Sequence, residues 1–262
     1  MNNQSTLEKM VQLGLHGMVR AFRDTMETGV RYQFTVDEML AHLVDAEWDE
    51  RHNRKLKRLV KNANFRYQAA FEEIDFALSR DLDKNFILRL SGCDWIEKHQ
   101  NIIFTGPTGA GKSFISSALG HQACIHGFKV GYYASSRLFT YLKLSEADGS
   151  RLKEMAKLAK LDLLIIDDFG LEHLDQHKRL LLLEIIEDRH GRRSTIFVSQ
   201  LPVAKWHEII GDATIADAIC DRMIHSAHQI NLNGESVRKI YKRKRLMENQ
   251  NEYDRQAKHE NR

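Results

Sequence analysis

A parallel α/β fold with helices flanking the sheet, preceded by a small helical amino-terminal domain, is the class this sequence predicts, and three observations carry it. Short apolar runs alternate with helix-patterned stretches: "NIIFT" at Asn101 to Thr105, "LDLLIIDDFG" at Leu161 to Gly170, and "STIFVS" at Ser194 to Ser199. Strands covered on both faces read as continuous apolar runs, and strands alternating with helices build a parallel sheet. The first run leads directly into Gly106-Pro107-Thr108-Gly109-Ala110-Gly111-Lys112-Ser113, followed by a helical stretch that ends at Gly127. The chain before residue 62 carries two amphipathic helical patterns.

Composition sets the bounds. The 262 residues are 42% hydrophobic, enough for a core in one large domain or two modest ones. The expected division is a helical domain over 1–70, an α/β domain over 71–245 and a polar tail over 246–262. A formal net charge of only +3 means that a nucleic acid must be met by local basic clusters. Cys93, Cys124 and Cys220 lie far apart without a Cys-x-x-Cys pair, which argues against a disulfide framework or a zinc site and fits a reducing cytoplasm. The 13 histidines show no metal-ligand spacing. The start "MNNQSTLEKM" is too polar for a signal peptide and no apolar run approaches bilayer length, so membrane insertion is excluded.

At the amino terminus, Leu7, Met10, Val11, Leu15, Met18, Val19 and Phe22 recur at helical spacing. With Ser5 and Glu8 placed as a capping box, they predict one helix from Ser5 to Glu27, closed near Gly29. A second helix starts where Thr35 stands as N-cap with Glu38 three residues on, Phe34 and Met39 being spaced as a hydrophobic staple, and it runs towards Lys61. Its first half presents Met39, Leu40, Leu43 and Val44 as an apolar face. Its second half holds Arg51, Arg54, Lys55, Lys57, Arg58 and Lys61 with no acid among them. Such a run is either a solvated face that suits the helix C-terminal dipole or a contact to DNA phosphates, for which Arg51, Arg54, Lys55, Lys57 and Arg58 are the candidates. From Asn62 to His99 the pattern is irregular and then helical, the connector into the next domain. Phe65, Tyr67 and Phe71 in it either pack in a core, the default, or stack on bases or adenine.

The glycine-rich stretch has the residue types, spacing and strand-loop-helix setting of a phosphate-binding loop. A polyphosphate needs many N–H donors at close range; glycines let the backbone curl towards it, and the helix N-terminus adds its positive end. The cradle is assigned to Gly106, Pro107, Thr108, Gly109, Ala110, Gly111, Lys112, Ser113 and Phe114, with Lys112 reaching the β- and γ-phosphates and the Ser113 hydroxyl on Mg²⁺.

Lys129 to Ala134 then reads as a strand, and Ser136 opens a helix through Leu144. The run at Leu161 to Gly170 ends in two acids: Asp167 is placed to share the Mg²⁺ shell with Ser113, and Asp168 to orient or deprotonate an attacking water. The bland alternative is a strand that ends in a capped turn. Asp175 begins a helix broken at Gly191, and the next strand ends at Ser199 and Gln200. Ligands of such sheets bind at the carboxyl ends of the strands, which aims both residues at the nucleotide region. Residues 215–245 hold a helix carrying Arg222, a short strand near His228 to Leu232, and a basic segment.

"GPTGAGKS", "LDLLIIDDFG", "EIIEDRHGRRSTIFVSQLP", "DAICDRMIHSAHQI" and "GESVRK" together resemble the IstB-like AAA+ ATPases, transposition helpers of insertion sequences related to the DnaC helicase loader. The resemblance spans nearly the whole chain, "LVDAEWDER" included. It implies an AAA+ P-loop NTPase core that uses ATP and Mg²⁺, assembles as a homo-oligomer, ring or helical, on duplex DNA, and recruits or activates a transposase. It also implies that Gln200 is a sensor facing the γ-phosphate, with Ser199 the fallback. Arg222 would be an arginine finger acting on the neighbouring subunit, with Arg192 and Arg193 next in line, and Arg238 the second sensor. Many AAA+ ATPases have Asp-Glu where this chain has Asp167-Asp168. A carboxylate one methylene shorter sits further from the water, so slow turnover is expected. The alternatives are a DnaC-like replicative helicase loader, a nucleotide-gated DNA-binding module without turnover, and a small-molecule or nucleotide kinase, for which no lid segment or second substrate pocket is seen.

Overall fold

The computed structural model describes residues 3–28, 34–78 and 80–243. The expected closure of the first helix near Gly29 and the polar tail over 246–262 fall outside them. The chain divides into two compact units, Met1–Leu59 and Val60–Arg262.

In the first unit the single expected helix is two, α1 (Asn3–Gln12) and α2 (His16–Glu27). They part at Gly14, whose φ of +72° is left-handed and ends the helix there. Ser5 lies inside α1 and caps nothing; α1 buries no side chain, whereas α2 buries Val19, Ala21 and Thr25. Helix α3 (Val36–Ala63) opens on the expected box: the Thr35 N–H donates to Glu38 Oε2 at 2.8 Å, and the Glu38 N–H to Thr35 Oγ1 at 3.3 Å. The Phe34 ring stacks on His42. The apolar face predicted for α3 is split, because Leu43 is buried while Leu40 and Val44 are exposed. Gly17 brings α2 against the backbone of Ala46, too close for a Cβ. Beside it the buried Glu47 carboxylate accepts from the Gly17 and Met18 N–H groups at the start of α2.

In the second unit a 3₁₀ turn (Phe71–Glu73), α4 (Lys84–Leu90, capped by Asp83) and α5 (Asp94–Glu97) precede β1 (Asn101–Thr105). Then come α6 (Lys112–Ile125), β2 (Val130–Ala134), α7 (Ser135–Ala147), α8 (Arg151–Ala159) and β3 (Leu163–Phe169). After these follow α9 (Gln176–Arg189, capped by Asp175), β4 (Ser194–Ser199), α10 (Trp206–Ile210), α11 (Ala213–Ile224, capped by Asp212) and β5 (Ala227–Asn231). The strands lie in the order β2-β3-β4-β1-β5, every neighbouring pair parallel. β1 and β4 are buried at every residue, as strands covered on both faces must be. On one face Phe169, Phe197 and Trp206 meet edge to face with centroids 4.9–6.1 Å apart. The fold thereby sets the carboxyl ends of β1, β3 and β4 side by side. Among the described residues no helix is long and apolar enough to cross a membrane.

Candidate nucleotide site

β1 hands the chain to the glycine loop, and α6 begins at Lys112. Gly106 and Gly111 have φ of +131° and +94°, and a Cβ on Gly106 would strike the Leu232 carbonyl, on Gly111 the Arg80 guanidinium. Both positions favour glycine for conformation, and Gly106 requires it for space as well, since its obstacle is backbone. The Gly109 carbonyl accepts from the Val237 N–H at 2.9 Å, the Ala110 carbonyl from Arg80 Nη1 at 3.2 Å, and the Gly106 and Pro107 carbonyls from Lys112 Nζ at 2.6 and 2.9 Å. Burial lowers the pKa of Lys112, while Asp167 and Asp168 act the other way.

The loop borders a cavity of about 500 Å³ lined by Thr108, Gly109, Gly111, Lys112, Ser113 and Phe114, together with Asp168, Gln200 and Arg238. Gln200 accepts from the Thr108 hydroxyl at 2.6 Å, and Arg238 Nη2 donates to the Tyr67 hydroxyl at 3.0 Å. Tyr67, whose ring is tilted against Phe114, lines the same cavity, whereas Phe65 packs edge-on to Tyr132 and Phe71 is buried.

At the end of β3 the two acids diverge. Asp167 is fully buried; its Oδ1 accepts from the Ser113 hydroxyl and the Asp168 N–H, each at 2.9 Å, and its Oδ2 from the Tyr132 hydroxyl and from Arg66 Nη1 at 3.2 Å. Asp168 adopts a left-handed φ of +58° where the β3–β4 register is irregular. That conformation, costly by about 1–3 kcal/mol for a non-glycine residue, accompanies a side chain set on the cavity wall. Its Oδ2 accepts from Arg66 Nη1 at 2.9 Å. Burial works against the charge of Arg66, but the bonds to Asp168 and Asp167 outweigh it and hold its pKa above the ordinary arginine value. Ser113 and Asp167 are hard oxygen donors within bonding distance of one another, a pair suited to Mg²⁺, which takes one or two protein oxygens plus substrate phosphates. Among the described residues no three His, Cys, Asp or Glu converge on a metal position.

Arg222 is not brought to this cavity. It donates to its own helix at the Ala218 carbonyl, 2.8 Å away, and pairs with Glu187 at 3.3 Å. Ser199 turns into the core, its hydroxyl donating to the Phe169 carbonyl at 2.8 Å, and Arg193 is paired with Asp162. In the basic run, Arg51 and Arg54 reach back one turn to Glu47 and Glu50 at 2.6 and 3.3 Å, while the side chains of Lys55, Lys57 and Arg58 are exposed. The run itself holds no acid, and the carboxylates that pair with Arg51 and Arg54 lie one helical turn upstream of it. Two site cations were missed altogether: Arg66, and Arg80, which is buried against the loop with Nε unpartnered. Both lie in the irregular connector, where no period or spacing marks a residue.

The family model of the IstB-like ATP binding protein matches residues 8–245. The insertion sequence ATP-binding protein y4pL of Sinorhizobium fredii is 46% identical over 239 residues, 91% of this chain and 98% of that protein. The ATP-binding protein of insertion sequence IS1162 from Pseudomonas fluorescens is 42% identical over 203 residues, 77% of this chain and 88% of that one. Among solved structures, DnaI superposes with a TM-score of 0.52 at 18% identity, over 67% of this chain and 93% of that one. AMPPCP-bound DnaA from Aquifex aeolicus gives 0.56 at 15%, over 71% and 56%. At such identities the likeness establishes the fold alone, an AAA+ P-loop core with a parallel five-stranded sheet, joined here to a helical amino-terminal region. With the phosphate loop in place and the family model matched over nearly its whole length, this chain belongs to the IstB-like ATP binding proteins of insertion sequences.

Proposed function

We propose that the chain is an ATPase that assembles with copies of itself on duplex DNA and recruits or activates a transposase at target sites. The observation that carries the reading is the convergence of Lys112, Ser113, Asp168, Gln200 and Arg238 on one cavity, with Asp167 bonded to Ser113 behind it. In this reading Lys112 exchanges the Gly106 and Pro107 carbonyls for β- and γ-phosphate oxygens. Ser113 and Asp167 would hold Mg²⁺, whose charge offsets that of the phosphates. Asp168 orients the attacking water or takes its proton, Gln200 senses the γ-phosphate, and Arg238 acts as second sensor from the far wall. Arg222 stands outside its own cavity, which supports action in trans on a neighbour's nucleotide and hence a ring or helical homo-oligomer. Lys55, Lys57 and Arg58 meet DNA phosphates first, and Arg51 and Arg54 join by exchanging carboxylate partners for phosphate. The transposase as partner rests on the insertion-sequence names of the relatives. A helicase loader is the second reading, carried by the motif resemblance to DnaC-like proteins.

The test is phosphate release with and without duplex DNA. DNA should accelerate it, Asp168→Asn should lower it by about 10²–10⁴ while still binding nucleotide, and alanine at Lys55, Lys57 and Arg58 together should abolish the DNA response. Wild-type turnover by Asp168→Asn, or no release under any DNA condition, would refute the reading.

A further inference from the structure

We propose that Arg66 is a positioning residue for the acidic pair: its guanidinium and Mg²⁺ are rival counter-ions for Asp167 and Asp168, and Arg66 has to leave before Asp168 can serve the attacking water. The inference rests on the ATPase reading above. A single nitrogen, Nη1, donates to Oδ2 of both Asp168 and Asp167, at 2.9 and 3.2 Å. Two neighbouring carboxylates in a partly enclosed corner repel one another unless a cation stands between them. The cation bonded to both is Arg66, whereas the Lys112 ammonium is bonded to the Gly106 and Pro107 carbonyls and meets the acids only through space.

A divalent ion on Ser113 and Asp167 would take over the neutralisation, so guanidinium and metal compete for the same pair. The exchange is physically accessible. The Arg66 side chain is 44% exposed and regains hydration as it withdraws, whereas Asp167 is fully buried and must keep a partner. Asp168 is 32% exposed on its side chain and stands at the cavity wall, so departure of Arg66 frees an oxygen that already faces the solvent-filled space. The contact also joins residues 102 apart in the chain, which ties the segment just after α3 to the acidic end of β3.

The experiment titrates Mg²⁺ against binding of a fluorescent ATP analogue to the full chain, for wild type, Arg66→Gln and Arg66→Lys, with melting curves as the folding control. Arg66→Gln should reach half-maximal Mg²⁺-dependent binding at about two- to fivefold lower Mg²⁺, the scale of a half-exposed ion pair, and Arg66→Lys should stay near wild type. Phosphate release without DNA should rise in Arg66→Gln. An unchanged or higher Mg²⁺ requirement in a folded Arg66→Gln chain overturns the proposal. So does slower release that Arg66→Lys restores, since Arg66 would then be a phosphate contact. If wild type releases no phosphate at all, the ATPase reading fails on its own, and the Mg²⁺ titration still decides the role of Arg66.

Discussion

Three buried cations show how differently one kind of charge is used. Lys112, 6% exposed, spends its ammonium on two loop carbonyls that a nucleotide's phosphates would replace. Arg189, 2% exposed, donates among the described residues to neutral acceptors, the Thr195 hydroxyl and the Leu158, Leu161 and Ser194 carbonyls, so it ties the ends of α8, α9 and β4 together away from the cavity lining. Arg80 lies between these cases, bonded to the Ala110 carbonyl of the loop and to the Asp75 carbonyl, with burial lowering its pKa. Lys112→Ala should therefore weaken ATP by at least about tenfold, because a charge-assisted hydrogen bond contributes about 1.5–3 kcal/mol. A calorimetric titration measures this; near-normal affinity would mean that the loop amides alone hold the phosphates.

Among the elements, the contact of α2 with α3 makes the sharpest stability prediction. Gly17→Ala drives a Cβ into the Ala46 carbonyl and should cost about 1–3 kcal/mol, visible as a lowered melting temperature. The neighbouring Glu47 sets a pH dependence. Burial acts to raise its pKa, but the bonds from Arg51, Gly17 and Met18 together outweigh it and hold the carboxyl below its ordinary range. A depressed folded-state pKa means that the unfolded chain takes the proton first, so the contribution is present above the ordinary glutamate range and is lost as pH falls through the folded value. Acid unfolding followed by circular dichroism should be shallower in Glu47→Gln than in wild type; identical profiles would remove Glu47 from the account. The strands were legible in the sequence because burial on both faces turns β1, β3 and β4 into apolar runs, and Thr35 with Glu38 announced α3. Helices α8 and α10 were not, since Ser150 makes no cap bond and five residues are too few to display a period. The phosphate loop was legible as a motif, whereas Arg66 and Arg80 became site residues only when the fold joined positions 102 and 30 apart. The left-handed Asp168 carries no sequence signal at all.

For the whole molecule, the decisive feature is a cavity that gathers a phosphate loop and the Asp168, Gln200 and Arg238 side chains, with Asp167 behind Ser113, yet leaves Arg222 outside. Arg66, Arg80 and Arg238 line the cavity of their own subunit, whereas Arg222 does not. An assembly in which each site is completed by the next subunit would hold it on the outer surface, as Arg222 is, 31% exposed on its side chain and only loosely engaged by Glu187. The most direct test mixes Arg222→Ala with Lys112→Ala subunits on duplex DNA and measures phosphate release. Each variant alone should be nearly inactive, the loss of a finger costing about 10³ to 10⁵ in rate. The mixture should recover hydrolysis, because an intact Arg222 from one subunit meets an intact phosphate loop on the other. Mixtures shown to co-assemble on the DNA but recovering none would contradict completion of the site by Arg222 of a neighbouring subunit.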